Sequence, residues 1–147
     1  MLGDMMNELN QVLLFLHFLG LAMGFSASFG NAAMGGLIEK AAPAEKPVLA
    51  RFPPVIARIG RYGLALLWSS GLILVYTKWG GMGSLPWQFH AKLALVVLLT
   101  ATVEYIHALM RRGQKGDTSV APTITMFGKA AMALALLTVV FAVLTFD

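Results

Sequence analysis

The sequence predicts an all-α integral membrane protein, built as a bundle of four membrane-spanning helices. Of its 147 residues, 58% are hydrophobic and 12% are charged, and the mean hydropathy is +0.74. Soluble domains are closer to half apolar and about a quarter charged, so this composition excludes both a water-soluble globule and a disordered chain. Since a spanning helix needs about 20 apolar residues, we expect one transmembrane domain over residues 1–147 with four spans and short loops.

Each predicted span is an apolar run bounded by polar or turn-forming residues. The first run lies between Glu8 and Glu39 and carries no charge. We expect it to be retained as a helix, because the residues before it are acidic whereas a signal peptide begins with basic ones. Prolines separate the first two spans, and a glycine-rich turn flanked by Trp79 and Trp87 follows the second, as in an interfacial aromatic belt. The spans are expected at about residues 9–38, 54–77, 87–110 and 124–146.

The positive charges predict the orientation of the spans. The loops after the first and third spans, with the adjoining helix ends, hold nine of the eleven lysines and arginines. Cytoplasmic loops are enriched in these residues, so both termini are expected on the outer, periplasmic side of a bacterial inner membrane. The basic residues therefore indicate the topology of the chain in the membrane and not a nucleic-acid partner. The expected partner is the lipid bilayer. The nine cations are Lys40, Lys46, Arg51, Arg58, Arg61, Arg111, Arg112, Lys115 and Lys129.

Two histidines are expected at similar depth near the outer surface. His17 lies about two turns inside the first span, and His90 lies in the first turn of the third. Neutral imidazole is a good ligand for haem iron and for other metals, so both are candidate metal-ligating and cofactor-binding residues. The alternative is that each donates one hydrogen bond to a neighbouring helix, or that His90 sits among the lipid headgroups.

Small residues recur at helical spacing on the face of the first span that holds His17. Gly20 and Gly24 form a GxxxG pair, and Ser28 follows at the same interval. Glycine beside a histidine lets a flat macrocycle approach the backbone, which makes both glycines candidate cofactor-binding residues. The alternative is that the stripe serves only close packing against another helix.

Four ionisable residues in the spans are further candidates, because charges within a bilayer are costly. Lys92 points away from His90 and is expected either to pair with a carboxylate of a substrate or cofactor, or to extend to the interface. Glu104 lies deeper and is the candidate for proton handling. Arg58 and Arg61 are one turn apart, and they either anchor the second span at the headgroups or bind an anionic group such as a propionate.

The sulfur-containing residues restrict the metal chemistry. The chain has no cysteine, which excludes disulfides, iron–sulfur clusters and thiolate metal sites. Of its nine methionines, Met5 and Met6 lie on the outer side toward His17. Thioether and imidazole ligands suit Cu(I), so copper handling is one alternative, and the filling of apolar space is the other.

The segment Leu85–Leu93, LPWQFHAKL, is followed by an apolar run and then by the basic sequence MRRGQKG. This pattern resembles the third span of the HemJ-type protoporphyrinogen oxidases, small membrane haem proteins of bacteria. The CopD-type copper-resistance proteins share a similar helical core. The resemblance implies a haem b with His17 as an axial ligand and functional roles for His90 and Lys92. It also implies the six-electron oxidation of protoporphyrinogen IX to protoporphyrin IX.

A second class of function stays open from the sequence, that of a non-catalytic membrane subunit. The small-residue stripe would then dock the first span against a second copy of the chain or a larger membrane complex, and no chromophore would be bound. We therefore expect a HemJ-like haem protein in redox chemistry, with a structural subunit or a CopD-like copper handler as alternatives.

Overall fold

The chain is helical throughout the part that the structure describes. The computed structural model covers residues 1–146, and no strand occurs in this range. The expected all-α fold is therefore confirmed. The helices are α1 (Leu2–Lys40), α2 (Lys46–Leu49), α3 (Phe52–Trp79), α4 (Trp87–Gln114) and α5 (Ala121–Phe146), with short 3-10 turns at Met82–Ser84 and Thr118–Val120.

The four long helices, α1, α3, α4 and α5, are long and apolar enough to cross a lipid bilayer. Each contains one of the predicted spans and extends beyond it at one or both ends. Many of their large apolar side chains, such as Phe15, Ile73 and Leu98, are exposed. Exposure of this kind suits a helix in hydrocarbon, where the backbone satisfies its own hydrogen bonds and apolar side chains face lipid.

Local backbone features explain where the helices end. α3 begins at Phe52 with a proline in its first turn, where the missing N–H of proline costs nothing. It ends at Trp79 because Gly80 adopts the left-handed conformation, with φ 73°, and Gly81 follows at φ 122°. α4 then begins at Trp87. The two tryptophans therefore lie at the same end of the bundle.

The long helices form a ring. α1 packs along α3 and α4 packs along α5, while α1 also touches α5 and α3 touches α4 over a shorter length. Because the chain crosses the bundle four times, α1 begins and α5 finishes at one end, which we call the terminal end. The opposite end carries the basic loops and is called the basic end.

Two glycines set the close approach of α1 and α3. Gly20 and Gly63 are both buried. A Cβ atom at Gly20 would lie 2.6 Å from the carbonyl oxygen of Gly63, and one at Gly63 would lie 2.7 Å from the carbonyl oxygen of Gly20. No side chain fits at such distances, so the two glycines let the backbones touch. Gly20 therefore serves helix packing.

Polar side chains join α3 to α4. Trp68 Nε1 donates to Thr100 Oγ1 at 2.9 Å, and His107 Nε2 donates to the carbonyl oxygen of Ala57 at 3.3 Å. Hydrogen bonds between membrane helices contribute about 0.6 kcal/mol each on average. These bonds align the two helices while leaving a space on the inner side of the ring.

Candidate functional site

A cavity of about 1720 Å³ runs through the centre of the bundle. All four long helices line it, mostly with apolar side chains, from His17 and Lys92 in the terminal half to Lys129 and Gln114 in the basic half. Pockets for small molecules usually measure about 300–1000 Å³. The cavity therefore has room for a large ligand.

His17 on α1 is held by a hydrogen-bond relay that ends on the backbone of α3. The Ser70 hydroxyl donates its one hydrogen to the carbonyl oxygen of Leu66 at 2.5 Å. Its oxygen is then the acceptor for His17, whose Nδ1 lies 3.1 Å away. With the hydrogen on Nδ1, the lone pair of the neutral imidazole is on Nε2. Nε2 is therefore the atom of His17 that can bind a metal.

Helix geometry explains how His17 reaches Ser70. His17 lies one turn from the crossing at Gly20, and helical side chains lean toward the N-terminus of their own helix. In this antiparallel pair, that direction leads toward the C-terminal half of α3. The imidazole Cε1 comes within 3.1 Å of the place that a Cβ atom at Gly71 would occupy. Glycine at this position therefore leaves the space that the ring needs.

Lys92 on α4 adds a positive charge to the same half of the cavity. Its side chain is half-buried, and its Nζ lies 5.9 Å from the centre of the Phe89 ring. Both Lys92 and His17 line this half of the cavity. An ammonium group in apolar surroundings attracts a carboxylate more strongly than it does in water. His17 and Lys92 thus place an imidazole and an ammonium group on two different walls of one cavity.

His90 lies apart from this pair. It is exposed, packs edge-on against the Phe89 ring with the centroids 5.9 Å apart, and is not one of the residues that line the cavity. Two residues along a helix differ by about 200° in direction, so Lys92 and His90 project to opposite faces, as their spacing predicts. The structure does not bring His17 and His90 together as two ligands of one group.

The candidate arginines lie in the basic half. Ser70, the partner of His17, is nine residues beyond Arg61 and twelve beyond Arg58 on α3, or about 14 and 18 Å along the axis. Neither arginine lines the cavity; both are exposed, and Arg61 binds Glu104 of α4. These three candidates therefore belong to the outer surface of α3 and α4, away from His17.

The remaining candidates are Gly24 of the small-residue stripe and the two methionines of the copper alternative. Gly24 lines the cavity, and a Cβ atom there would meet nothing within 4 Å. Met5 and Met6, whose thioethers suit Cu(I), are 61% and 39% exposed and lie about 17 Å along α1 from His17. Among the described residues, no three His, Asp or Glu side chains are grouped so that they could hold a metal ion. A metal site built from three such side chains is therefore not formed by the described residues.

Three residues that build the site are not evident from the sequence. Ser70 orients His17, Gly71 leaves room for its ring, and Gly63 receives Gly20. The sequence SSG at 69–71 places a hydroxyl and a glycine in the middle of a span, which is a weak signal. Their partners lie on another helix, and spacing within one helix does not identify them.

The comparisons with known proteins give no match: no protein-family model, no curated protein and no solved structure matches the chain. A bundle of membrane helices can support many activities, so fold alone does not imply function. The candidate site of this chain therefore consists of His17, Lys92 and the cavity between them.

Proposed function

We propose that this chain is a HemJ-like membrane protein that binds haem b and acts in redox chemistry. The observation that carries the proposal is the relay from Leu66 through Ser70 to His17, which leaves the lone pair of a neutral imidazole on Nε2 of a residue that lines a large apolar cavity. The likeness of the segment LPWQFHAKL to the HemJ-type proteins supports haem as the ligand. The basic loops support a bacterial inner membrane with both termini on the periplasmic side.

The residues present fit a haem that is held by one histidine. His17 would hold the haem iron through Nε2, and its bond to Ser70 fixes the tautomer and the ring orientation, as partners of metal-binding histidines commonly do. Apolar walls suit a macrocycle, and Gly24 leaves open space on the wall that holds His17. His17 is the one histidine among the described residues that line the terminal half of the cavity.

The chain's own residues would prepare the site electrostatically. A bound haem supplies one-electron redox chemistry. Lys92 would hold a carboxylate at the terminal end of the cavity, and the apolar walls would keep water away, which strengthens that attraction. Glu104 takes no part in this pocket because its carboxylate is bound to Arg61 on the outer surface.

The finer proposal is that the substrate is protoporphyrinogen IX, which is oxidised to protoporphyrin IX. It is supported by the LPWQFHAKL resemblance and by a cavity of about 1720 Å³, which has space for a second tetrapyrrole. The reaction removes six electrons and six protons from the substrate, and the electrons pass to an acceptor outside the chain. Lys92 is the residue that we propose for the substrate or cofactor carboxylates.

The test is the absorption spectrum of the protein purified in mild detergent, recorded oxidised and then reduced with dithionite. We expect a Soret band and sharp α and β bands on reduction. The bands should be lost in His17→Gly and regained when imidazole is added, because free imidazole can occupy the vacated space. His90→Gly is the matched control and should keep the spectrum, since His90 is exposed outside the cavity.

Two results would overturn the proposal. One is a protein without haem bands even after haem supplementation. The other is equal loss of the bands in both histidine variants. If haem is bound, an assay of protoporphyrinogen oxidation then tests the finer proposal; a haem protein inactive toward this substrate would disprove the substrate assignment alone.

A further inference from the structure

A bidentate ion pair joins α3 and α4 on the outer surface of the bundle. Arg61 Nε donates to Glu104 Oε1 at 2.9 Å, and Arg61 Nη2 donates to Glu104 Oε2 at 2.9 Å. Neither residue lines the central cavity. The two side chains are 50% and 45% exposed, so each presents about half of its surface to whatever surrounds the bundle.

The pair lies at the depth of the lipid hydrocarbon. Arg61 is nine residues inside the start of α3, and Glu104 is ten residues before the end of α4. At 1.5 Å per residue, both are about 14–15 Å from the basic end of helices that are about 42 Å long. The hydrocarbon layer is about 30 Å thick, so a centred bundle places both charged groups inside it.

Contact with lipid hydrocarbon is unfavourable for this ion pair. Ionisable side chains at membrane depth almost always face a bundle interior or a water-filled cavity rather than lipid. Attraction within the pair offsets only part of the cost of removing two charges from water, unless further polar groups surround them. A polar surface that covers the exposed half of Arg61 and Glu104 would therefore be stabilising.

The surroundings of the pair permit close contact with another helix surface. One turn away on α3 is Ala65, and one turn away on α4 is Ala101, and both are exposed. Small residues at such positions let membrane helices approach closely enough for interhelical polar contacts to form. The charges and the small residues together mark one face of α3 and α4.

We propose that this face is the interface of a parallel homodimer, in which Arg61 of each copy binds Glu104 of the other. Both copies have the same orientation in the membrane, so the twofold axis runs along the membrane normal. Rotation about that axis preserves depth and places α3 of one copy opposite α4 of the other. Each arginine therefore meets the other copy's glutamate at the same depth, and the face is complementary in charge to itself. This dimer forms whether or not the cavity holds haem.

The first experiment uses the absence of native cysteine. Ala101→Cys places one thiol beside the proposed axis, and Ala133→Cys is the matched control. Ala133 is also an exposed alanine near the middle of its helix, but it lies on α5. After mild oxidation in native membranes, we expect a disulfide-linked dimer from Ala101→Cys and none from Ala133→Cys. Equal cross-linking of both, or of neither, would overturn the proposal.

The second experiment separates contact between copies from contact within one chain. Arg61→Glu and Glu104→Arg each destroy the ion pair within their own chain. When two differently tagged chains carrying one change each are expressed together, acidic residues of one copy face basic residues of the other. We expect co-purification of the two tags at wild-type level, and its loss when either variant is paired with itself.

Two further outcomes would contradict the proposed dimer. Failure of the mixed pair to associate, while wild-type chains do, would show that the ion pair acts only within one chain. Photobleaching of single labelled molecules in lipid vesicles counts the copies in each particle. If the wild-type protein is monomeric there, the exposed face of the ion pair is covered by lipid headgroups or by a different subunit, and not by a second copy.

Discussion

Gly20 and Gly63 meet backbone to backbone, and this contact determines what lies beside His17. It fixes the register of α1 against α3, which brings Ser70 to 3.1 Å from Nδ1 of His17 and leaves room for the ring at Gly71. The geometry of the proposed metal ligand therefore depends on a packing contact one turn away.

The contact predicts that Gly20→Ala is destabilising. The new Cβ atom would lie 2.6 Å from a backbone oxygen that cannot move without shifting α3, and overpacking of this kind costs about 1–3 kcal/mol. Thermal unfolding in detergent measures the effect. Gly24→Ala is the control: nothing lies within 4 Å of its Cβ position, so the better helix propensity of alanine should leave stability unchanged or raise it by up to about 1 kcal/mol. Equal destabilisation of both would contradict the assigned register.

Ser70→Ala tests the relay that orients His17. Without the hydroxyl, Nδ1 loses its side-chain acceptor, and the ring is free to change tautomer and orientation. Loss of such a partner typically lowers metal affinity about 10–100-fold, and haem titration of the apoprotein measures this. Ser69→Ala removes a hydroxyl whose one bond to the described residues is to the carbonyl of Ala65 in its own helix, at 2.7 Å. The control should bind haem as the wild type does; an unchanged affinity in Ser70→Ala would show that the relay is not needed.

Lys92→Leu tests the proposed carboxylate contact. A hydrogen bond to a charged group contributes about 1.5–3 kcal/mol, so we expect about 10–100-fold weaker binding of haem with free propionates. Lys92→Arg keeps the charge and should lose much less. Haem dimethyl ester has no carboxylates, so its affinity should be the same in wild type and Lys92→Leu. A parallel loss for both forms of haem would assign Lys92 a packing role instead.

The loop between α4 and α5 gives a prediction for pH. Asp117 accepts hydrogen bonds from the hydroxyl and backbone N–H of Ser119 and from Arg112. These donors favour the carboxylate and hold the pKa of Asp117 below its ordinary value of 3.8, with the Ser119 hydroxyl as the main cause. The loop contact is therefore complete above that ordinary value and is lost as pH falls through the lowered pKa. Carboxyl-carbon NMR should show the low midpoint in wild type and a higher one in Ser119→Ala; equal midpoints would contradict the assignment.

Much of the architecture follows from the sequence alone. Apolar runs of sufficient length have to satisfy their backbone within lipid, so four runs imply four helices. Proline at the start of α3 and glycine after Trp79 mark its ends. The spacing of His90 and Lys92 also predicts their opposite directions, because two residues turn a helix by about 200°.

Only the tertiary structure decided which faces of the helices pack against each other. His17 is hydrogen-bonded to Ser70, which is 53 residues away along the chain. Arg61 is bound to Glu104, which is 43 residues away. In a soluble helix, an apolar stripe shows which face is buried. In a membrane both lipid and the bundle interior are apolar, so hydrophobicity does not distinguish the two faces. The faces are selected instead by glycine contacts and a few polar bonds, whose partners lie on other helices.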